Sequence, residues 1–308
     1  MKPKLVIVLG PTAVGKSELA LGLAQSIDGE IVNADSQQVY RYLDIGTGKP
    51  AKSDQECIRH HVIDVVDPDE EFNAALYRRL ALAAIADIQK RGKNVLVCGG
   101  TGLYLRALTR GLFAGPGQDP DLRRSLEQEI HSKGLAALYQ SLVEIDASVL
   151  SSIHPNDRQR IIRALEVYYS TGKPISAWQK EHAFQEELFD VLKIGLRRER
   201  AELYDLINRR SEQMLEAGFL DEVRGLVARG YSLELKPLRS VGYRQMGEVM
   251  QGTKNIVEAL DEMKQETRRL AKRQLTWYRA DTAIHWYHPE KQQDEILGAA
   301  RQFLERPL

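Results

Sequence analysis

Apolar residues fall into two rhythms along this chain, short unbroken runs and stretches in which they recur every three to four positions, and the two alternate through the first hundred residues. Residues 4–9 form a Val/Ile-rich run, followed by a glycine-rich turn and by helical periodicity over 18–27. Further runs at 30–33, 61–66 and 94–98 predict three more strands, and a long Ala/Leu-rich helix beginning near Asn73 precedes the last of them. Strands alternating with helices in this way build a parallel sheet with helices on its faces, which predicts an α/β fold.

The pattern changes after a helix that starts near Leu103. Residues 111–122, GLFAGPGQDPDL, concentrate Gly, Pro and Asp and read as a linker into a different unit. From 122 to 182 the periodicity is helical with no convincing strand, and the apolar run at 188–196 returns to the sheet. The organisation predicted is a core of residues 1–114 and 189–308 carrying a mostly helical insertion at 115–188. Helices are expected near 200–217, 220–229 and 257–278, with a short strand at 283–287 and a final helix. The chain has no internal repeat and no low-complexity tract.

Composition narrows the function classes. The chain of 308 residues is 43% hydrophobic, enough for a sizeable core, so a disordered chain is excluded. Two cysteines, Cys57 and Cys98, supply neither a disulfide framework nor a paired-Cys zinc site, and a reducing, cytoplasmic setting is expected. The N-terminal apolar run is too short to span a bilayer, so neither export nor membrane anchoring is expected. Lys and Arg number 43, as do Asp and Glu, so a polyanionic partner has to be met by local basic clusters rather than a uniform coat.

The strongest motif is GPTAVGKS at 10–17, which satisfies GxxxxGK[ST] between a strand and a helix, the context that pattern requires. The core is therefore expected to be P-loop NTPase-like. Gly10 and Gly15 permit backbone conformations that expose successive N–H groups, and with the helix N-terminus these favour a cluster of phosphate oxygens. Thr12 can add a hydrogen bond, Lys16 a mobile positive charge, and the Ser17 hydroxyl suits a magnesium ion that bridges two phosphates. A loop of this kind binds a diphosphate or a nucleotide such as ATP without saying what chemistry follows. Phosphoryl transfer also wants a carboxylate at a neighbouring strand end, but the run at 94–98 leads into Cys98, Gly99 and Gly100. Asp64 or Asp67 is a substitute, and each reads equally well as a solvated or capping residue.

Residues 33–40, NADSQQVY, end the second strand at the sheet edge where open α/β folds bind ligands. Asp35 is thus a candidate base, while Asp35 followed by Gln38 also resembles a capping box. Gln37 and Gln38 carry amides that match a purine edge. GGTGLY at 99–104 is a second glycine-rich turn, so Thr101 either faces the same cleft or starts a helix.

Taken together, these segments resemble the tRNA dimethylallyltransferases, or tRNA isopentenyltransferases, nearly end to end. The resemblance is carried by GPTAVGKS at 10–17, NADSQQVY at 33–40, DIGTGKP at 44–50, HHVIDV at 60–65, GGTGLYL at 99–105, NDRQRIIRALEVY at 156–168, SVGYRQM at 240–246 and KRQLTWYR at 272–279. It implies transfer of the dimethylallyl group of dimethylallyl diphosphate to N6 of adenosine 37 in the tRNA anticodon stem-loop, with release of diphosphate and use of Mg2+. It further implies that Gly10, Thr12, Ala13, Val14, Gly15, Lys16 and Ser17 hold the diphosphate with Arg210, that Ser17 serves the metal, that Asp35 is the base, and that Thr101 contacts the target nucleotide. Asp35, Ser36, Gln37 and Gln38, with Arg123, Gln159, Arg160, Ile161, Ile162 and Arg163, match tRNA-facing positions, and the insertion would swing over the anticodon stem. Some relatives continue into a zinc finger, which this chain's two cysteines cannot form. A monomer is expected.

The residues alone allow the same chemistry. The exocyclic amine of adenine is a poor nucleophile that benefits from a nearby carboxylate, and an allylic carbon ionises once the departing diphosphate is stabilised. An adenine in a stacked loop must leave the stack to react. Lys264, Arg268, Arg269, Lys272, Arg273 and Arg279, with Trp277 and Tyr278, form one basic and aromatic cluster, and Arg158, Arg160 and Arg163 form a second. Each reads equally as a solvated helix face. His60 and His61 are expected to make structural hydrogen bonds, and Trp178 and Trp286 to pack. A small-molecule kinase and a nucleotide-binding regulatory module are the rival readings of the loop.

Overall fold

The computed structural model describes residues 2–113, 115–183 and 186–306. Ala114, at which the expected core closes, lies outside the described residues. The chain forms two compact units, Met1–Thr109 with Glu187–Leu308, and Arg110–Glu186.

In the larger unit β1 (Lys4–Leu9) leads through the phosphate-loop motif into α1 (Lys16–Ser26), and β2 (Gly29–Asn33) follows. A short polar helix α2 (Lys52–Cys57) precedes β3 (His60–His61); then come α3 (Ala74–Lys90), β4 (Asn94–Gly99) and α4 (Gly102–Arg110). The insertion contains α5 (Pro120–Lys133), α6 (Leu135–Ile145), a 3-10 turn (Ala147–Ser151), α7 (Arg158–Thr171) and α8 (Ile175–His182). The chain returns as β5 (Asp190–Leu196), α9 (Arg200–Glu216), α10 (Phe219–Ala228), a 3-10 turn (Lys236–Arg239), α11 (Tyr243–Met250), α12 (Ile256–Tyr278), β6 (Ile284–Tyr287) and α13 (Gln293–Glu305).

The six strands make one all-parallel sheet in the order β3-β2-β4-β1-β5-β6. β1, β2 and β4 are buried almost throughout, which is why they read as continuous apolar runs rather than alternating ones. One apolar cluster packs α3, α4, α10, α11 and α12 residues on the sheet, including Tyr77, Leu108, Phe219, Tyr243 and Met263. A second joins Val6, Val8, Leu23, Ile207 and Ile296. The insertion has its own core of Leu126, Leu138, Leu142, Ile161, Ile162 and Leu165.

The third strand is shorter than the apolar run at 61–66 suggests. β3 stops at His61 because Val62 and Asp64 adopt positive φ values of 59° and 52°, which breaks the extended path. Residues 64–66 instead follow 38–40, with Val65 N–H donating to the Val39 carbonyl at 2.8 Å. The pattern also misses α2, which buries nothing, and α11, only eight residues long.

Candidate functional site

At the carboxyl ends of β1, β2 and β4 the chain turns into loops that share one cleft. Its lining includes Thr12, Lys16, Ser17, Asn33, Asp35 and Gln38, with Thr47, His60, Cys98, Arg210 and Gln274. The location follows from topology: β1 lies between β4 and β5, and three strand ends meet there.

Gly15, the N-cap of α1, lies in the left-handed region at φ 104° and offers no side-chain cap, which leaves the first-turn N–H groups of the helix for an anion. Lys16 turns its ammonium inward and donates to the Pro11 carbonyl at 2.7 Å. Burial lowers its pKa from 10.5 to about 8, against the opposing pull of Cys98 and Asp35, and Arg210 adds to the lowering. Arg210, on α9, is likewise pushed down by burial and supported by Asp35. Two cations are thus held close together in a poorly solvated cleft with one carboxylate near both, an arrangement that a multiply charged anion would relieve.

Asp35 closes a local turn, its Oδ1 accepting from Gln37 N–H at 2.8 Å and Gln38 N–H at 3.4 Å. No helix follows, so the capping-box pattern resolves as an Asx turn. Its Oδ2 accepts no hydrogen bond from the described residues. Thr101 starts a helix, its carbonyl accepting from Tyr104 and Leu105 as α4 begins; it does not itself line the cleft, and its hydroxyl accepts from Ser36 N–H at 3.0 Å beside Asp35.

Arg210 and Gln38 are set by the loop at 44–50. Gln38 Nε2 donates to the Thr47 and Gly48 carbonyls at 3.3 and 3.1 Å, so its amide secures the loop. Arg210 Nη2 reaches Thr47 O at 3.4 Å and occupies the place where a Cβ on Gly48, at φ 59°, would stand. Only glycine admits the guanidinium there. Beneath, Glu222 accepts from the N–H groups of Asp44, Ile45 and Gly46 at 3.0, 2.6 and 3.2 Å and from the Tyr243 hydroxyl at 2.6 Å.

Asp64 and Asp67 are committed elsewhere, Asp64 to Lys49 at 2.5 Å and Asp67 to Arg41 at 2.9 Å, and neither lines the cleft. A metal-orienting carboxylate at the end of β4, as phosphoryl transfer wants, is thus missing among the described residues. No group of three or more His, Cys, Asp or Glu there could cage a metal. Ser17 and Asp35 on one cleft fit a hard cation that arrives with phosphate oxygens and keeps several waters.

Residues 38–281 match the family described as IPP transferase. The chain belongs to that family. It is 51% identical over 304 residues to tRNA dimethylallyltransferase 2 of Syntrophus aciditrophicus, covering 98% of this chain and 97% of that one. It is 48% identical over 302 residues to the tRNA dimethylallyltransferase of Geobacter metallireducens, covering 98% of each. Among solved structures, the full-length tRNA isopentenylpyrophosphate transferase of Bacillus halodurans superposes with a TM-score of 0.73 at 38% identity, covering 99% of this chain and 97% of that one. A eukaryotic dimethylallyltransferase acting on tRNA gives 0.82 at 29% identity, covering 99% and 81%.

For an IPP transferase the remaining expected RNA-facing residues divide by environment. Lys272, Arg273 and Arg279 on and after α12 are exposed, while Lys264 pairs with Glu212 at 2.6 Å and Arg268 with Asn208 at 2.6 Å. In the insertion, Gln159 and Arg160 are exposed, but Ile161 and Ile162 are buried in its core, so their side chains have no free face. Arg123 and Arg163 both pair with the fully buried Glu166, at 2.8 and 2.7 Å, which holds that carboxyl down at about 2 against burial. His60 and His61 do make structural hydrogen bonds, His60 to Ile58 O at 2.7 Å and His61 to Glu30 at 2.6 Å. Trp286 packs against the core and Trp178 lies under Lys173. Polar cleft residues that the sequence does not mark as part of the site include Asn33, Thr47, His60, Cys98 and Gln274.

Proposed function

We propose that this IPP transferase carries the dimethylallyl group of dimethylallyl diphosphate to N6 of the adenosine beside the tRNA anticodon. The observation that carries the reading is the meeting of Lys16, Arg210 and Asp35 in one cleft at the uncapped N-terminus of α1. The loop residues Gly10, Thr12, Ala13, Val14, Gly15, Lys16 and Ser17 receive the diphosphate, and Arg210 covers it from α9. The bond between the allylic carbon and the bridging oxygen breaks, the electron pair leaves with diphosphate, and N6 bonds to that carbon. The N6 proton passes to the unpartnered Oδ2 of Asp35. Lys16 and Arg210 stabilise charge that grows on the leaving group, which is worth most in a poorly solvated cleft. A magnesium ion held by Ser17 and the phosphates would add further charge neutralisation when bound.

The RNA side of the reading rests on Ser36, Gln37 and Gln38 near the base and on the exposed cations Lys272, Arg273 and Arg279. Gln37 Oε1 is shielded from solvent and accepts no hydrogen bond from the described residues, a deficit that a donor on an extruded base would remove. Thr101 fixes the Ser36 backbone and so the approach to Asp35. In the insertion, Gln159, Arg160, Arg123 and Arg163 offer polar contacts to the stem, with the latter two preset by Glu166.

The test is diphosphate release from purified protein given dimethylallyl diphosphate and an anticodon stem-loop. Release that needs both substrates and is lost in Asp35→Ala with tRNA affinity kept supports the reading. Turnover of ATP with a phosphorylated acceptor would overturn it.

A further inference from the structure

Helix α12 and the residue after it carry exposed cations at 272, 273 and 279, yet between them the uncharged Gln274 turns into the cleft. Gln274 Oε1 accepts from Thr12 N–H at 2.9 Å, and its Nε2 donates to the Gly100 carbonyl at 2.9 Å. A single amide therefore ties the phosphate loop after β1 to the second glycine-rich turn after β4. The contact is close on both sides: a Cβ on Gly100 would lie 2.5 Å from Gln274 Nε2 and 3.4 Å from Gly10 O. Thr12 belongs to the loop that receives the anion, and Gly100 directly precedes Thr101, whose hydroxyl orients Ser36 next to Asp35.

We infer that Gln274 is a positioning residue that sets the distance between the diphosphate-holding loop and the turn that carries Thr101, and thereby the separation of the allylic carbon from the attacking amine. The inference rests on the proposed reading that the loop holds the donor diphosphate. An amide is the required group because the two sites have opposite polarity, an N–H that needs an acceptor and a C=O that needs a donor. A carboxylate satisfies only the first and sets oxygen against oxygen at Gly100. A protonated carboxyl satisfies both, since it carries one acceptor and one O–H donor.

That difference gives the experiment. Steady-state transfer is measured for wild type, Gln274→Glu and Gln274→Met from pH 8 down to pH 5.5, and each variant rate is divided by the wild-type rate at the same pH. The division cancels the pH dependence that the variants share with wild type, whose cleft is lined by Lys16, Asp35, His60, Cys98 and Arg210. The inference predicts a loss of about a hundredfold in kcat for Gln274→Met, in the range that a misplacement of about 1 Å produces, with tRNA affinity unchanged. Gln274→Glu should be as poor at pH 8 and recover at least tenfold relative to wild type as the pH falls. Thermal melts at each pH separate this from folding, and Gln274→Met carries the test if Gln274→Glu does not fold. A flat ratio in folded Gln274→Glu, or near wild-type kcat in Gln274→Met, would overturn the inference. Absence of transfer by wild type would instead sink the proposed function.

Discussion

Lys16 is a cation that the ligand-free protein holds at a cost. Its ammonium sits in the poorly solvated cleft, with its pKa lowered by burial from 10.5 to about 8, and among the described residues it donates to the Pro11 carbonyl alone. At pH 7 the lowering corresponds to about 3 kcal/mol of lost stability, since each pKa unit is worth about 1.36 kcal/mol. Lys16→Met removes the buried charge and also the bond to Pro11 O, worth about 1 kcal/mol. The variant should therefore be more stable than wild type by about 2 kcal/mol at pH 7, read from urea unfolding with no ligand present. The sign of the pH dependence is fixed as well. Between pH 8 and 10.5 the unfolded chain holds a proton at Lys16 that the folded chain has lost, so wild-type stability rises with pH through that window and the advantage of the variant shrinks away. Below pH 8 both states are protonated and the advantage is constant. Inorganic diphosphate should raise the wild-type melting temperature and leave the variant unmoved. A variant less stable than wild type at pH 7, or an advantage that does not narrow above pH 8, would refute the view that the cleft stores an unrelieved charge for its anion.

Other substitutions probe separate parts of the site. Gly48→Ala places a Cβ where Arg210 now lies and should raise KM for dimethylallyl diphosphate at least about tenfold, the effect of about 1.4 kcal/mol, with tRNA affinity kept. Glu166→Gln leaves Arg123 and Arg163 without their buried counter-charge and should destabilise the insertion by about 3 kcal/mol in denaturant unfolding. The Glu166 carboxyl is held low in the folded state, so this stability is present above the unfolded pKa of 4.5 and is lost as pH falls toward about 2. Replacing Lys272, Arg273 and Arg279 together with alanine should lower the magnitude of the slope of log affinity for tRNA against log salt by about 2, from about 0.7 per phosphate contact on single strands. An unchanged slope would remove them from the RNA surface.

Much of the cleft is legible in the sequence because its parts are local. The strand, loop and helix around 10–17 read directly from their apolar runs and glycines, as do the strand ends that deliver Asp35 and Thr101. What escapes is set by backbone geometry or by distant partners. Nothing in HHVIDV announces that Val62 and Asp64 take positive φ values and end β3 after two residues. Asp35 and Gln38 have the spacing of a capping box whether or not a helix follows, and here the chain bends into the 44–50 loop instead. Gln274 sits in view within KRQLTWYR, but its partners Thr12 and Gly100 are 262 and 174 positions away. Glu166 leaves a signal that could have been used. It interrupts the apolar face of α7 three residues after Arg163, and an acid on a buried face needs a partner.

In the proposed transfer the donor breaks between carbon and oxygen, not between oxygen and phosphorus. Dimethylallyl diphosphate carrying heavy oxygen at the position that joins carbon to phosphorus distinguishes the two directly. Mass analysis after turnover with tRNA should find all of the label in the released diphosphate and an adenosine enlarged by one five-carbon unit. Label in free dimethylallyl alcohol, with the diphosphate transferred to the acceptor, would contradict it.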